Sequence, residues 1–312
     1  MTSINSETKK FGIIGYPISH TFSPAMHNAA FSADGFNGIY LVFPMKNLIS
    51  LKFSMRQLKI EGLSVTIPHK IHVLRILDAI DPAAVQIGSV NTLVWENNIL
   101  KGYNTDAYGA VHSLKENGVS LAGKKVLIAG SGGSARSIAF GVFRENPAQI
   151  TLAARNRIKA KKIIHNLADI VHKIRLGIMS LPEKGKIGEG EIATREKKNY
   201  RGIFYCSYVM PEQIHEFDII IHTTPMGMKN HPLADVAFFS AENFRKGQVL
   251  FDIVYNPMVT PLVREARKSG AEIVPGYKML LHQGARQYEL FTKRTAPITV
   301  MENALLKEMN EI

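Results

Sequence analysis

Residues 124–140, KKVLIAGSGGSARSIAF, decide the fold. Residues 125–129 form a short apolar run that meets Gly130-Ser131-Gly132-Gly133 without a spacer, and residues 134–144 then follow a helical pattern. A buried-type strand that turns through glycines straight into a helix is the opening unit of a nucleotide-binding α/β domain. Gly130, Gly132 and Ala135 satisfy G-x-G-x-x-G/A. The glycines permit a tight turn and let backbone N–H groups approach a pyrophosphate, and the helix N-terminus adds a favourable dipole. Gly130, Ser131, Gly132, Gly133, Ser134 and Ala135 are therefore candidate cofactor contacts.

The next strand, residues 150–154, selects the dinucleotide. An NAD site usually places Asp or Glu about twenty residues beyond the glycines, on the ribose 2′-hydroxyl. No acid occurs between Asn146 and Ala168; Arg155, Arg157 and Lys159 stand there instead. Guanidinium groups pair with a 2′-phosphate that a carboxylate would repel. The expected cofactor is NADP.

Working outward, strands recur at residues 219–222, 249–253 and 272–274. The alternation with helices implies a parallel sheet covered on both faces. The first hundred residues alternate in the same way. Strands are expected at 11–15, 39–43 and 63–67, with a hairpin of 90–95 and 99–103 around Glu96-Asn97-Asn98. Ser23-Pro24 reads as N-cap and first helical residue. A helix is expected from Pro68 through Leu77, another from Asp81-Pro82 to Gly88, and a third over 107–117, joining the halves. The tail carries helical patterns at 278–291 and 298–311 and is expected to return to the first domain. The fold class is therefore α/β with two domains. Residues 1–106 and 277–312 form a substrate domain completed by C-terminal helices, and 107–276 form a Rossmann-like NADP-binding domain.

The composition excludes several classes. A single cysteine, Cys206, rules out a disulfide-stapled scaffold. The uncharged stretch 11–33 is long enough to span a bilayer. It contains Pro17, Pro24, His20, His27, Asn28, Ser19, Thr21, Ser23 and Ser32, which lipid would penalise. A soluble cytoplasmic protein with no membrane partner is expected. The net charge of +12 is uneven, because residues 155–201 hold 13 Lys/Arg and 5 Asp/Glu. A basic insertion is expected near 170–212, its Gly-, Lys- and Glu-rich part at 183–201 exposed and mobile. Residues 155–201 contain a single aromatic, Tyr200 at the far end, so no nucleic acid is expected. No metal site is expected.

Polar groups cluster at strand ends and helix starts: Thr21 and Ser23, Thr66 and Lys70, Asn91-Thr92, and Asn104-Thr105-Asp106. With their surroundings they read GYPISHTFSPAMHN, GLSVTIPHK, GSVNTL, GYNTDAYG, GSGGSARS, TTPMGM, FDIVYNP and GYKMLLHQGARQYELF. In this order they resemble the landmarks of shikimate dehydrogenases, over residues 11–291 apart from 170–212. The resemblance implies reversible NADPH-dependent reduction of 3-dehydroshikimate to shikimate in aromatic amino-acid biosynthesis. It implies Lys70 and Asp106 as the catalytic pair. Lys70 would serve as proton donor to the developing alkoxide, and Asp106 would hold Lys70 in place. It places Thr21 and Ser23 at the substrate carboxylate, and Ser64, Thr66, Asn91 and Gln283 on ring hydroxyls or carboxylate, with Tyr255 closing over the site. Thr223, Thr224, Met226, Gly227, Ile253, Gly276 and Met279 would flank the ribose and nicotinamide, and Asn156 with Arg157 the 2′-phosphate.

Several positions depart from the family's pattern. Thr21 stands where serine is commoner, Ser64 where asparagine is commoner, and Ile158 in place of a threonine. His222 replaces an asparagine before Thr223. The first two departures keep open a quinate/shikimate dehydrogenase using NAD or both cofactors. A non-catalytic dinucleotide-binding regulator is the reading from another class. A small-molecule substrate and a monomer or homodimer are expected.

Overall fold

The structure, a computed structural model, describes residues 4–19, 21–175, 204–207 and 211–310. In chain order the elements are β1 (Lys9–Gly15), α1 (Ser23–Ala33), β2 (Gly38–Pro44), α2 (Leu51–Gln57), β3 (Ile60–Val65), β4 (Ala79–Ile80), α3 (Pro82–Ile87), β5 (Thr92–Glu96) and β6 (Ile99–Tyr103). Then come α4 (Asp106–Glu116), β7 (Lys125–Ala129), α5 (Gly133–Arg144), β8 (Gln149–Ala153), α6 (Arg157–Arg175) and β9 (Phe204–Ser207). The chain ends with β10 (Ile219–His222), β11 (Val249–Asp252), α7 (Pro261–Lys268), β12 (Glu272–Pro275), α8 (Gly276–Thr292) and α9 (Ile298–Asn310). Two compact units result, and the divisions fall inside α4 after Gly109 and inside α8 after Leu280.

The first unit is built on a sheet of order β2-β1-β3-β5-β6-β4. β2, β1 and β3 run parallel, whereas β5 is antiparallel to both β3 and β6. The sheet is therefore mixed, as the hairpin expected at 90–95 and 99–103 requires. The cause is the β5–β6 hairpin, whose turn residues Asn97 and Asn98 both take positive φ, 50° and 65°. Such a turn matches strand twist and reverses the chain in two residues. β1 shows the period-2 alternation of a strand buried on both faces. Phe11 packs against Phe31, Phe36 and Phe291 at 5.4, 6.0 and 5.1 Å between centroids. Ile14 joins Leu51, Met55, Leu63, Val65 and Leu93 on the opposite face. Full burial of each such side chain contributes on the order of 2 kcal/mol.

Two local expectations are corrected. The helix expected from Pro68 through Leu77 is only a 3₁₀ turn, His72–Ile76. The Lys70 carbonyl accepts the Val90 N–H at 2.8 Å, so it is committed across the fold and not to a helical successor. Ser23 does not cap α1. The N-cap is Phe22, and the Ser23 hydroxyl instead accepts from Thr21 Oγ1 at 3.2 Å. By contrast, Asp81 caps α3 by accepting from the N–H groups of Ala83 and Ala84, and Gly88 ends it.

The second unit carries an all-parallel sheet of order β12-β11-β10-β7-β8-β9. β10 and β11 are buried along their whole length, as strands covered on both faces require. The chain goes from β7 to β8 and β9 on one side, then returns to β10, β11 and β12 on the other. The switch point thus lies between β7 and β10, where α/β sheets bind ligands outside the carboxyl ends of their strands. β9 lies inside the stretch read as an insertion and extends the sheet from β8. The segment 183–201 lies outside the described residues.

Candidate active site

The site in the first unit begins with the end of β3. The strand stops at Val65, and the chain turns through Thr66-Ile67-Pro68. The turn is held by the His69 N–H on the Thr66 carbonyl at 2.9 Å and by His69 Nε2 on the Met45 carbonyl at 2.7 Å. It delivers Lys70, whose ammonium donates to Asp106 Oδ2 at 2.6 Å, with the side chains only 14% and 4% exposed. Asp106 is free for this role because Asn104 does the capping. Asn104 Oδ1 accepts from the N–H groups of Asp106 and Ala107 at 3.1 and 3.3 Å.

Asn91 ties the pair to the rest of the fold. Its Oδ1 accepts the Thr105 N–H at 2.9 Å, which fixes the orientation of the amide. Its Nδ2 therefore faces Asp106 Oδ1 at 2.8 Å, Thr105 Oγ1 at 2.9 Å and Gln283 Oε1 at 3.3 Å. The carboxylate of Asp106 thus receives one donor on each oxygen. An ion pair buried this deeply is tolerable only when such hydrogen bonds accompany it.

α8 presents Gln283, Gln287 and Phe291 at four-residue spacing, along one face. Gln283 meets Asn91, and Phe291 meets the Phe11 cluster. Gln287, between them, was not singled out by sequence; its place four residues after Gln283 on the same helical face was the available signal. Its Nε2 donates to the Asn91 carbonyl and to Thr92 Oγ1, both at 3.1 Å. The Asn91 carbonyl can only accept, so the amide oxygen must face Ser64 Oγ, which donates to it at 2.8 Å. The Ser64 oxygen in turn accepts from the Tyr40 hydroxyl at 2.6 Å. Thr92, receiving from Gln287, donates to Asn91 Oδ1 at 2.8 Å. A directional chain therefore runs Tyr40, Ser64, Gln287, Thr92, Asn91, Asp106, with Lys70 at its far end. Burial raises the pKa of the Tyr40 phenol, against the opposing effect of hydrogen bonds with Ser64 and Ser23.

The structure thus brings together Lys70, Asp106, Asn91, Gln283 and, through Gln287, Ser64. Thr21 and Ser23 sit at the start of α1 and reach this network through Tyr40. Thr66 is half-buried at the end of β3, and its hydroxyl makes no hydrogen bond among the described residues.

In the second unit, Gly130 leaves β7 with φ +135°, and its N–H donates to the Ala153 carbonyl at 2.8 Å. A Cβ there would come within 2.1 Å of Thr223 Oγ1. Gly132 is the N-cap of α5, and a Cβ there would meet nothing within 4 Å. Glycine is thus required by packing at 130, while at 132 it leaves an open approach to the helix N-terminus. That open approach fits a pyrophosphate. Gly133, Ser134 and Ala135 form the first turn of α5. Arg155, Asn156 and Arg157 follow β8 and are all exposed. Thr223 and Thr224 follow β10, and Thr223 Oγ1 donates to the Ala129 carbonyl at 2.8 Å. Met226 is half-buried and Gly227 buried beyond them. Ile253 and Tyr255 follow β11, and Gly276 and Met279 open α8. Among the described residues, no cluster of three or more His, Cys, Asp or Glu could hold a metal ion, and no helix is long and apolar enough to cross a membrane.

Comparison with known proteins agrees with this geometry. Residues 13–93 match the family model of the shikimate dehydrogenase substrate binding domain, and residues 276–306 that of the shikimate 5'-dehydrogenase C-terminal domain. A shikimate dehydrogenase (NADP(+)) of Methanobrevibacter smithii is 39% identical over 309 residues, spanning 98% of this chain and 99% of the relative. Among solved structures, a shikimate dehydrogenase in complex with NADP+ superposes with a TM-score of 0.81 at 35% identity, covering 98% of both chains. The Thermus thermophilus shikimate 5-dehydrogenase, in complex with NADP(H) and shikimate, gives 0.77 at 26% identity, covering 96% of this chain and 99% of that one. Full-length similarity at this identity, two matching family models and the Lys70–Asp106–Asn91 arrangement place the chain in the shikimate dehydrogenase family.

Proposed function

We propose that the protein is an NADP-dependent shikimate dehydrogenase, reversibly reducing 3-dehydroshikimate to shikimate. The observation that carries the reading is the buried Lys70–Asp106 pair, oriented by Asn91. In this reading residues 1–106 and 277–312 take the substrate, and residues 107–276 take the dinucleotide.

The reduced nicotinamide supplies the hydride. Lys70 holds the substrate oxygen through its ammonium and gives it a proton as negative charge develops there. In the reverse direction neutral Lys70 accepts the hydroxyl proton. General acid–base assistance of this kind is worth about 10²–10⁴ in rate. Asp106, fixed by Asn91, keeps the amine aimed. Thr21 and Ser23 bind the substrate carboxylate. Thr66, Asn91 and Gln283 bond ring hydroxyls, and Ser64, whose proton goes to Gln287, offers only a lone pair. Tyr255 belongs to the same proposed set of substrate-binding residues. A site built from so many hydrogen-bonding groups discriminates strongly against analogues that lack the hydroxyls.

On the cofactor side, Gly130, Ser131, Gly132, Gly133, Ser134 and Ala135 hold the pyrophosphate. Arg155, Asn156 and Arg157 hold the 2′-phosphate, in a stretch that has no acid from Asn146 to Ala168. Thr223, Thr224, Met226, Gly227, Ile253, Gly276 and Met279 hold the ribose and nicotinamide. A cytoplasmic setting and a monomer or homodimer belong to the same proposal. The single cysteine supports the first, and light scattering decides the second.

The test is steady-state oxidation of shikimate and of quinate, each with NADP and with NAD, followed by absorbance of the reduced cofactor. Shikimate with NADP should give the highest kcat/KM. Faster turnover of quinate would select the quinate dehydrogenase reading, and no turnover in any combination would reject the enzyme.

A further inference from the structure

His222 and Asp252 end neighbouring parallel strands in direct register. Both are 1% exposed, and His222 Nδ1 lies 2.9 Å from Asp252 Oδ1. Asp252 Oδ1 also accepts the Val254 N–H at 3.0 Å, and its Oδ2 accepts the Thr260 hydroxyl at 2.7 Å. Three donors therefore reach this carboxylate, one of them the imidazole. A carboxylate only accepts, so His222 carries its proton on Nδ1. In the neutral ring the lone pair of Nε2 then faces Thr224 Oγ1 at 2.5 Å. Thr224 has one proton, and this contact takes it. The Thr224 oxygen accepts from the Met226 N–H at 3.4 Å and keeps a further lone pair. The Phe238 ring packs against the imidazole at 4.9 Å between centroids.

We propose that His222 is a positioning residue for the dinucleotide. Held in its Nδ1–H tautomer by Asp252, it takes the Thr224 hydroxyl proton and leaves the Thr224 oxygen as a directed acceptor for an N–H or O–H donor of the cofactor. Thr224 follows β10 at the switch point beside the Gly130 loop, where such a ligand binds. Thr223 behaves alike, since its proton goes to the Ala129 carbonyl. Both threonines thus offer acceptors, and His222 is what gives Thr224 that polarity. The inference rests on the proposed binding of NADP by this unit.

Two substitutions separate positioning from mere packing. His222→Asn places an amide nitrogen where Nδ1 was, so it keeps the bond to Asp252 and loses the reach to Thr224. His222→Gln places an amide oxygen where Nε2 was, so it keeps the acceptor for Thr224 and weakens the tie to Asp252. NADPH affinity is measured by titrating the cofactor's fluorescence, and stability by thermal unfolding. Thr224→Val and His222→Asn should each weaken binding about tenfold, the size of one lost hydrogen bond. His222→Gln should stay within about threefold of the parent. Thermal stability should rank the other way, with His222→Asn above His222→Gln. Adding His222→Asn to Thr224→Val should cost no further affinity. Independently of any cofactor, ¹⁵N spectra of the imidazoles, assigned by the signal lost in His222→Gln, should show the neutral Nδ1–H form.

Parental affinity in His222→Asn, or an additive loss in the double variant, overturns the inference. So does an Nε2–H or doubly protonated ring. Parental affinity in Thr224→Val overturns the placement of Thr224 and the inference with it. Failure of the unaltered protein to bind NADPH overturns the proposed function itself.

Discussion

Ser64 donates its hydroxyl proton to Gln287 Oε1 at 2.8 Å, across 223 residues of chain. This bond sets the amide of Gln287, whose nitrogen then supports the Asn91 carbonyl and Thr92. The Asp106 carboxylate is thus linked, through Asn91, to a helix near the end of the chain. Gln287→Leu leaves the Ser64 hydroxyl without its acceptor in a buried site, while the Asn91 carbonyl keeps the Val65 N–H at 2.7 Å. A loss of about 1–3 kcal/mol is expected from urea unfolding. The residual folded enzyme should show a lower kcat, with the KM for NADP unchanged. A variant as stable and active as the parent would show that the network is not under tension from this residue.

Lys70 is the proton donor of the proposed mechanism. Lys70→Ala is expected to reduce kcat by about 10²–10⁴ while circular dichroism shows an intact fold. Near-normal turnover would remove Lys70 from the mechanism. Asp106→Asn should reduce kcat in the same direction, because Lys70 then loses its anionic partner.

The glycine loop offers a paired test. Gly130→Ala meets Thr223 Oγ1 at 2.1 Å in a backbone conformation that side chains rarely adopt, so it should lower the Tm. Gly132→Ala has open space and ordinary φ, −83°, so its Tm should match the parent. Its NADPH affinity should nevertheless fall by an order of magnitude or more, since the methyl group enters the space assigned to the pyrophosphate. Unchanged affinity in Gly132→Ala would displace the pyrophosphate from this loop.

Asn156→Asp puts a carboxylate where a 2′-phosphate is proposed to lie. The ratio of kcat/KM for NADP over NAD should drop about tenfold or more. An unchanged ratio would argue that the exposed Arg155 and Arg157 do not read the phosphate.

His27 sets part of the acid limb of stability. Its ring is fully buried and stacks on Tyr40 at 4.3 Å, with only the Gln287 side chain opposing the effect of burial. Burial pushes its pKa down to about 3. The unfolded chain takes up this proton near pH 6.5, whereas the folded chain refuses it until about pH 3. The stability gained from the neutral ring is complete above pH 6.5 and is lost as pH falls toward 3. Between pH 7 and pH 5 the loss from this group is about 2 kcal/mol. His27→Phe should remove that part of the slope in urea unfolding at the two pH values. An undiminished slope would assign it elsewhere.

The sequence by itself determined the glycine turn between β7 and α5, the strand ends flanking it and the choice of NADP as cofactor. These features depend on neighbours within about twenty residues, where glycine, periodicity and the absence of an acid are all visible. It also determined the family, through eight short motifs in order. The tertiary structure alone decided that Asn104, not Asp106, caps α4. It decided that the chain after Pro68 turns without forming an α-helix, because the Lys70 carbonyl is held by Val90. It alone joined Tyr40, Ser64 and Gln287 to Asn91, and His222 to Asp252 and Thr224. These relationships are hydrogen bonds between distant segments. Their directions follow from which fixed backbone or carboxylate acceptor each amide or imidazole happens to meet, and no local pattern in the chain encodes that meeting.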